Sequence, residues 1–223
     1  MRLPQKKAAP SVRRAYGIYV ATRLTTADED ASSVQQATEA VKLAARALED
    51  IAESVPMALA HRDARDDILD DLAQQVRLAL SSRSTTATKE APYKMVFHKG
   101  MGFYLNAPIP ENANRYRDLA ARLTSALAKG DPVLEFVAPI LESATAYEQA
   151  AAATDKARNE VGLARTKLDA AEEDWDRAIE KTYGFLISEY GKAKAERFFP
   201  RLSKRDEVVS DDDAPAPTTP PVA

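Results

Sequence analysis

At 223 residues with a net charge of −3 and no cysteine, the chain is long enough to bury a sizeable core. The near balance of charge provides no global field to recruit nucleic acid or an anionic membrane, and the missing cysteine excludes disulfides, thiolate metal sites and a thiol nucleophile. Alanine supplies about a fifth of the residues and Leu, Glu, Lys and Arg much of the rest, a composition that reads as long helices or coiled coil.

Residues 1–10 are basic and hold Pro4 and Pro10, so a flexible arm is expected there. With Arg13 and Arg14, Lys6 and Lys7 of this arm are the candidate phosphate contacts. Few aromatics are interleaved, so a solvated arm is the plainer reading. No apolar run follows that could form a signal-peptide core, and no stretch approaches the ~20 apolar residues that span a bilayer.

From Gly17 to Val55 a seven-residue repeat persists. One row holds Val20, Ala27, Val34, Val41, Leu48 and Val55, and the other Gly17, Leu24, Ala31, Thr38, Ala45 and Ala52. Alternating steps of three and four mark a coiled-coil seam. Thr26 with Glu29 fits a capping box, which would start the helix at Ala27 instead. Pro56 ends or bends it. A second helix is expected over about 57–83, with Ile68, Leu69, Leu72, Val76 and Leu80 on one side.

Residues 92–106 read differently. Tyr93, Met95 and Phe97 alternate with polar or outward positions, as do Met101, Phe103 and Leu105 after "HKG". A period of two predicts a small β-hairpin, with Gly100 left-handed in the turn. The odd-numbered set would dock on helices, while Val96 and Tyr104 would face outward and offer a surface for strand addition.

A third helix is predicted from an Asn112 cap to Lys129, stopped by Gly130. Asp131 with Pro132 starts the next, which Pro139 is expected to kink. The heptads then return. Ile140, Tyr147, Thr154, Val161, Leu168 and Trp175 form one row, and Ser143, Ala150, Ala157, Ala164, Ala171 and Ala178 the other. Pairing the two heptad segments antiparallel, large with large, sets Val20 against Trp175, Ala31 against Ala164 and Thr38 against Ala157. Gly184 and Gly191 predict fraying after Tyr183. Phe185, Leu186, Tyr190, Phe198 and Phe199 exceed what two helices can bury; they pack on the segment around Tyr16, Ile18 and Tyr19 or form a partner surface. Residues 203–223 are acidic and then proline-rich, and are expected to be disordered.

The predicted architecture is all-α: an elongated antiparallel helical bundle or coiled-coil hairpin over 11–202, with a head of shorter helices and the β-hairpin insert. A four-helix bundle is the alternative.

Catalytic constellations are missing. "HRDARDD" from His61 carries the kinase catalytic-loop triplet without a glycine-rich loop or DFG, and neither histidine has the glutamate spacing of a di-iron bundle. Asp63, Asp66, Asp67, Asp70 and Asp71 form an acidic helix face that could attract a hard cation, but is more simply solvated. The expectation is a cytoplasmic, non-enzymatic scaffolding or protein-interaction protein, without cofactor, metal or membrane contact. Its partner is another protein or a second copy. The alternative is a nucleic-acid-associated protein using the basic arm.

Overall fold

The structure, a computed structural model, describes residues 3–5 and 8–201. It is all-helical, and no strand occurs among the described residues. The principal helices are α1 (Pro10–Thr26), α2 (Ser32–Ala52), α3 (Ser54–Ser81), α6 (Ile109–Ala126) and α7 (Val137–Tyr190). Three single turns complete the set: α4 (Tyr93–Val96), α5 (Gly102–Leu105) and α8 (Lys192–Ala195). No helix is long and apolar enough to cross a membrane. The chain divides into two compact units, one made of the described residues up to 51 with those from 161, the other of residues 52–160.

In the first unit the heptad segment is not one helix. It breaks after Thr26, where Asp28 adopts a left-handed φ of 56°, a conformation aspartate tolerates better than most residues. Ala27 and Glu29 donate to the Leu24 carbonyl, and Asp30 accepts from the Ser32 amide at 2.9 Å, capping α2. The capping signal at Thr26 and Glu29 therefore lies at the right break with the wrong residues, because the reversal occupies Ala27–Ala31.

α1 and α2 fold back on each other and share a core with the C-terminal part of α7. Trp175 is fully buried, and its indole N–H donates to Thr38 Oγ1 at 3.1 Å. Gly17 is where the three segments meet: a Cβ there would lie 2.1 Å from Thr38 Oγ1 and 2.8 Å from Trp175 Nε1. Tyr16 meets the Trp175 ring edge-on at 5.6 Å. These contacts correct the expected register. Thr38 takes Trp175 instead of Ala157, because rows of alanine fit equally well at many offsets while the Trp175 indole fits only beside a glycine.

Further along, α7 does not fray after Tyr183; it runs to Tyr190 and stops at Gly191, whose φ is 72°. Phe198 and Phe199 turn back onto the unit's core, with Phe199 against Tyr16 and Tyr183. At the other end of the chain Pro4 is buried and Leu3 packs on the same core.

The second unit is built on α3, α6 and α7 up to residue 160. Leu69, Ala73, Val76 and Leu80 of α3 face Tyr116, Leu119 and Leu123 of α6, and Ile140, Ala144 and Tyr147 of α7 close the core. Their three- and four-residue spacing is the helical period that places one face inward. Pro56 and Pro139 each fall in the first turn of a helix, where the missing N–H has no intrahelical acceptor to lose. Pro139 therefore produces no kink. Asp131 accepts from the Val133 amide at 3.0 Å as expected of a cap, but opens a 3₁₀ turn, Pro132–Phe136, that leads into α7. Asn112 caps nothing: α6 begins three residues earlier, with Pro110 in its first turn.

The predicted β-hairpin is replaced by two helical turns, α4 and α5, joined through Gly100 at φ 77°. Over five residues a period of two and a helical turn share the positions i and i+4, so Tyr93 and Phe97 fit either. The residues between them decide. Met95, inward in a strand, is 52% exposed, whereas Val96, outward in a strand, is fully buried. Tyr104 is likewise buried, against Phe97, Phe103 and Tyr116.

Candidate functional site

Most of the residues singled out in the sequence turn out to be structural. Val96 and Tyr104 are fully buried, and the Tyr104 hydroxyl donates to the Val96 carbonyl at 3.2 Å. They present no surface for strand addition, because each helical turn points them at α3 and α6. Burial pushes the Tyr104 phenol up to about 12, so it stays a donor at neutral pH.

Phe198 and Phe199 are core residues. Tyr190 is half-buried: its hydroxyl donates to Glu29, its ring stacks on Phe198 at 6.2 Å, and Lys194 Nζ lies 3.8 Å from the ring centroid. Of the expected partner surface only Phe185 is open to solvent, at 53%.

Among the proposed phosphate contacts, Lys6 and Lys7 lie outside the described residues. Arg13 is 2% exposed and committed inward. It pairs with Glu172 at 3.2 Å and Asp176 at 3.6 Å, and donates to the Ala8 carbonyl at 2.8 Å. An arginine held this way ties the incoming chain to α7. It is a fork already occupied by carboxylates. Burial raises the Glu172 carboxyl despite the neighbouring Arg13 guanidinium. Arg14 is half-buried beside Gly17 in a groove described below.

The acidic face of α3 is only partly a solvated one. Asp66 accepts from the Asn112 amide at 2.6 Å, and Asp70 accepts from the Tyr116 hydroxyl. Both pairs repeat at i and i+4, on α3 and on α6, so they form a two-rung polar ladder along one seam. Matching four-residue spacings, Asp66 with Asp70 and Asn112 with Tyr116, were the available signal in the sequence. Burial raises the Asp70 carboxyl above its ordinary range, against the bond from Tyr116. Asp63, Asp67 and Asp71 point to solvent. Among the described residues no group of three carboxylate or histidine ligands converges on a metal position.

Two concave features stand out among the described residues, one in each unit. In the first unit a groove runs along the α1–α2 seam. Its two stretches, of about 380 and 250 Å3, share Ile18, Ala21 and Gln35. Ala21 forms the floor. Ile18, 55% exposed, stands on the rim with Thr22 and Thr26 one and two turns further along α1. From Arg14 to Thr26 this is roughly 18 Å of helix.

The cleft of the second unit, about 340 Å3, lies where the start of α6 meets α3 and α7. Ile109, Pro110, Ala113 and Ala151 provide its apolar lining, and Arg62, Glu148, Asp155 and Arg158 its charges. Thr154, fully enclosed, donates to the Ala58 or the Ala150 carbonyl, which ties α7 to the start of α3. Neither feature holds a nucleophile paired with a base. No protein-family model, curated protein or solved structure matches the chain.

Proposed function

We propose that the chain is a non-enzymatic, bundle-forming interaction protein that receives a helix of a protein partner, or of a second copy, in the α1–α2 groove. The observation that supports this reading is the groove itself. It is about three turns long, floored by Ala21, and rimmed by Ile18 with more than half of its surface in water. Small residues on a floor let a second backbone approach closely, and a branched aliphatic on the rim supplies the apolar anchor of a helix-in-groove contact. The nucleic-acid alternative has less support, since Arg13 is buried between two carboxylates.

The test is site-specific photo-cross-linking in the native host. A photoreactive residue at position 22 or 26 should give a discrete adduct that Ile18→Asp abolishes. The same residue at position 174, an exposed place on α7, should not. Light scattering on the purified chain then tells self-association from a foreign partner. Equal adducts from all positions, or adducts indifferent to Ile18→Asp, would remove the groove from consideration.

A further inference from the structure

The cleft of the second unit has a charge pattern that the interaction reading does not use. Two of its charged residues are neutralised by neighbours: Arg62 bonds Asp63 through Nε and Nη2, and Glu148 pairs with Arg117 at 2.5 Å. The other two, Asp155 and Arg158, make no ion pair or hydrogen bond among the described residues. They sit three residues apart on α7, the spacing at which oppositely charged side chains ordinarily meet. What is left over is one anion and one cation on the same rim.

A third polar group lies below them. Tyr147 lines the cleft with only 3% of its surface exposed. Its hydroxyl has no hydrogen-bond partner among the described residues, yet it is not one of the wholly enclosed polar atoms. A buried phenol is normally paired; this one keeps its donor and acceptor for the contents of the cleft. The Asn114 amide nitrogen likewise has no hydrogen-bond partner among the described residues, its oxygen being taken by Arg117 at 3.1 Å. Apolar surface from Ile109, Pro110 and Ala113 completes the enclosure.

We propose that this cleft is a binding site for a small zwitterion of the free amino-acid class. Arg158 and the Tyr147 hydroxyl hold its carboxylate, Asp155 holds its ammonium group, and an aliphatic side chain lies on Ile109, Pro110 and Ala113. A carboxylate alone would leave Asp155 facing it as a like charge, and an amine alone would do the same with Arg158. The volume sits at the lower end of ligand sites, about 300–1,000 Å3, which suits a molecule of this size.

The test uses the full chain and four probes, L-leucine, L-valine, L-methionine and L-phenylalanine, by calorimetry with ligand-observed NMR as a second readout. Two analogues of leucine dissect the recognition: 4-methylpentanoate lacks the amine and 3-methylbutan-1-amine lacks the carboxylate. At least one amino acid should bind saturably below about 10 mM, and each half-ligand of leucine at least about tenfold more weakly than leucine. Asp155→Asn and Arg158→Gln, both at exposed positions, should each weaken the amino acid about tenfold, with an unchanged circular dichroism spectrum. In addition, Asp155→Asn should leave 4-methylpentanoate binding no weaker than before. Tyr147→Phe should weaken binding about fivefold while keeping the ring's packing. Absence of saturable binding by all four amino acids overturns the proposal. So does equal binding of leucine and a half-ligand, or indifference to both charge variants. None of these results bears on the α1–α2 groove, so the two readings fail separately.

Discussion

Gly17→Ala puts one methyl group where the structure has no room. The new Cβ would stand 2.1 Å from Thr38 Oγ1, 2.8 Å from Trp175 Nε1 and 3.1 Å from Thr38 Cβ. Those first two atoms are the acceptor and the donor of a single buried hydrogen bond, so neither can retreat without breaking it. Overpacking of a tight core costs about 1–3 kcal/mol, and a buried indole N–H left without an acceptor costs about 1–3 kcal/mol more. Alanine returns about 1 kcal/mol through its better helix propensity, so the expected net loss is about 1–5 kcal/mol. Urea unfolding followed by the fluorescence of Trp175, the chain's single tryptophan, reports on the unit that holds the substitution. Combining Gly17→Ala with Thr38→Ala removes the worst clash and should recover part of the loss, a coupling of about 1–2 kcal/mol in a double-mutant cycle. If Gly17→Ala alone proves neutral or stabilising, the three segments do not meet at Gly17 and the register given above is wrong.

Other expectations follow from the same packing. Tyr104→Phe, which removes only the bond to the Val96 carbonyl, should cost about 1 kcal/mol, Tyr104→Ala about 3–5 kcal/mol, and Met95→Ser less than about 0.5 kcal/mol; a strand would reverse the order of Met95 and Tyr104 in thermal melts. The raised Asp70 carboxyl binds a proton more readily in the folded chain than in the unfolded one. Its contribution is therefore complete below the unfolded value and is lost as pH rises through the folded value. Denaturant titrations at a series of pH values should show the native chain gaining on Asp70→Asn as pH falls from neutral, and a gap that widens with rising pH contradicts this. Cysteines at 31 and 164 should not form an intramolecular bridge on oxidation. The Thr38–Trp175 and Glu29–Tyr190 contacts set residue 31 about 27 Å along α7 from residue 164, at about 1.5 Å per residue, against the ~4 Å between Cβ atoms that a disulfide requires.

What could be read from the sequence was whatever depends on short-range chemistry. Leu69, Val76 and Leu80 announce the inner face of α3, though Ile68, expected with them, is 41% exposed, and Tyr116, Leu119 and Leu123 announce that of α6, because burial at helical spacing leaves a regular trace. Asp131 before Pro132 marks a true start for the same reason, whereas Gly130, left-handed at φ 92°, lies four residues past the end of α6 at Ala126 and is not what stops it, so the helix expected to reach Lys129 is shorter. The insert reads as a hairpin in the sequence because single helical turns are too short to separate their period from that of a strand. Only the burial of Val96 and the exposure of Met95 decide it, and both depend on a partner surface supplied by α3 and α6. The cleft residues were invisible for a related cause: Tyr147 and Arg158 carry no mark of function until Ile109 and Ala113 of α6 are brought beside them.

The failure of the heptad register has a more general cause. An alanine or valine row contributes nearly the same burial at every seven-residue offset, so the rows state that helices pair but not where. Position has to come from residues whose shapes are unequal. In this chain the decisive set is a hole, a hydroxyl and a large indole: Gly17, Thr38 and Trp175. Gly17 and Thr38 were visible in the same heptad row and Trp175 in another, yet no periodic rule joins them, since two lie on a helical hairpin whose reversal at Ala27–Ala31 has first to be recognised. Once that turn is placed, Gly17 falls beside Thr38 and leaves the gap that the indole fills. The low helix propensity of glycine, which by periodicity alone counts against α1, is then offset by a close approach that no other residue permits. A residue that weakens its own helix while fixing the position of two others carries more information about the fold than the repeat in which it stands.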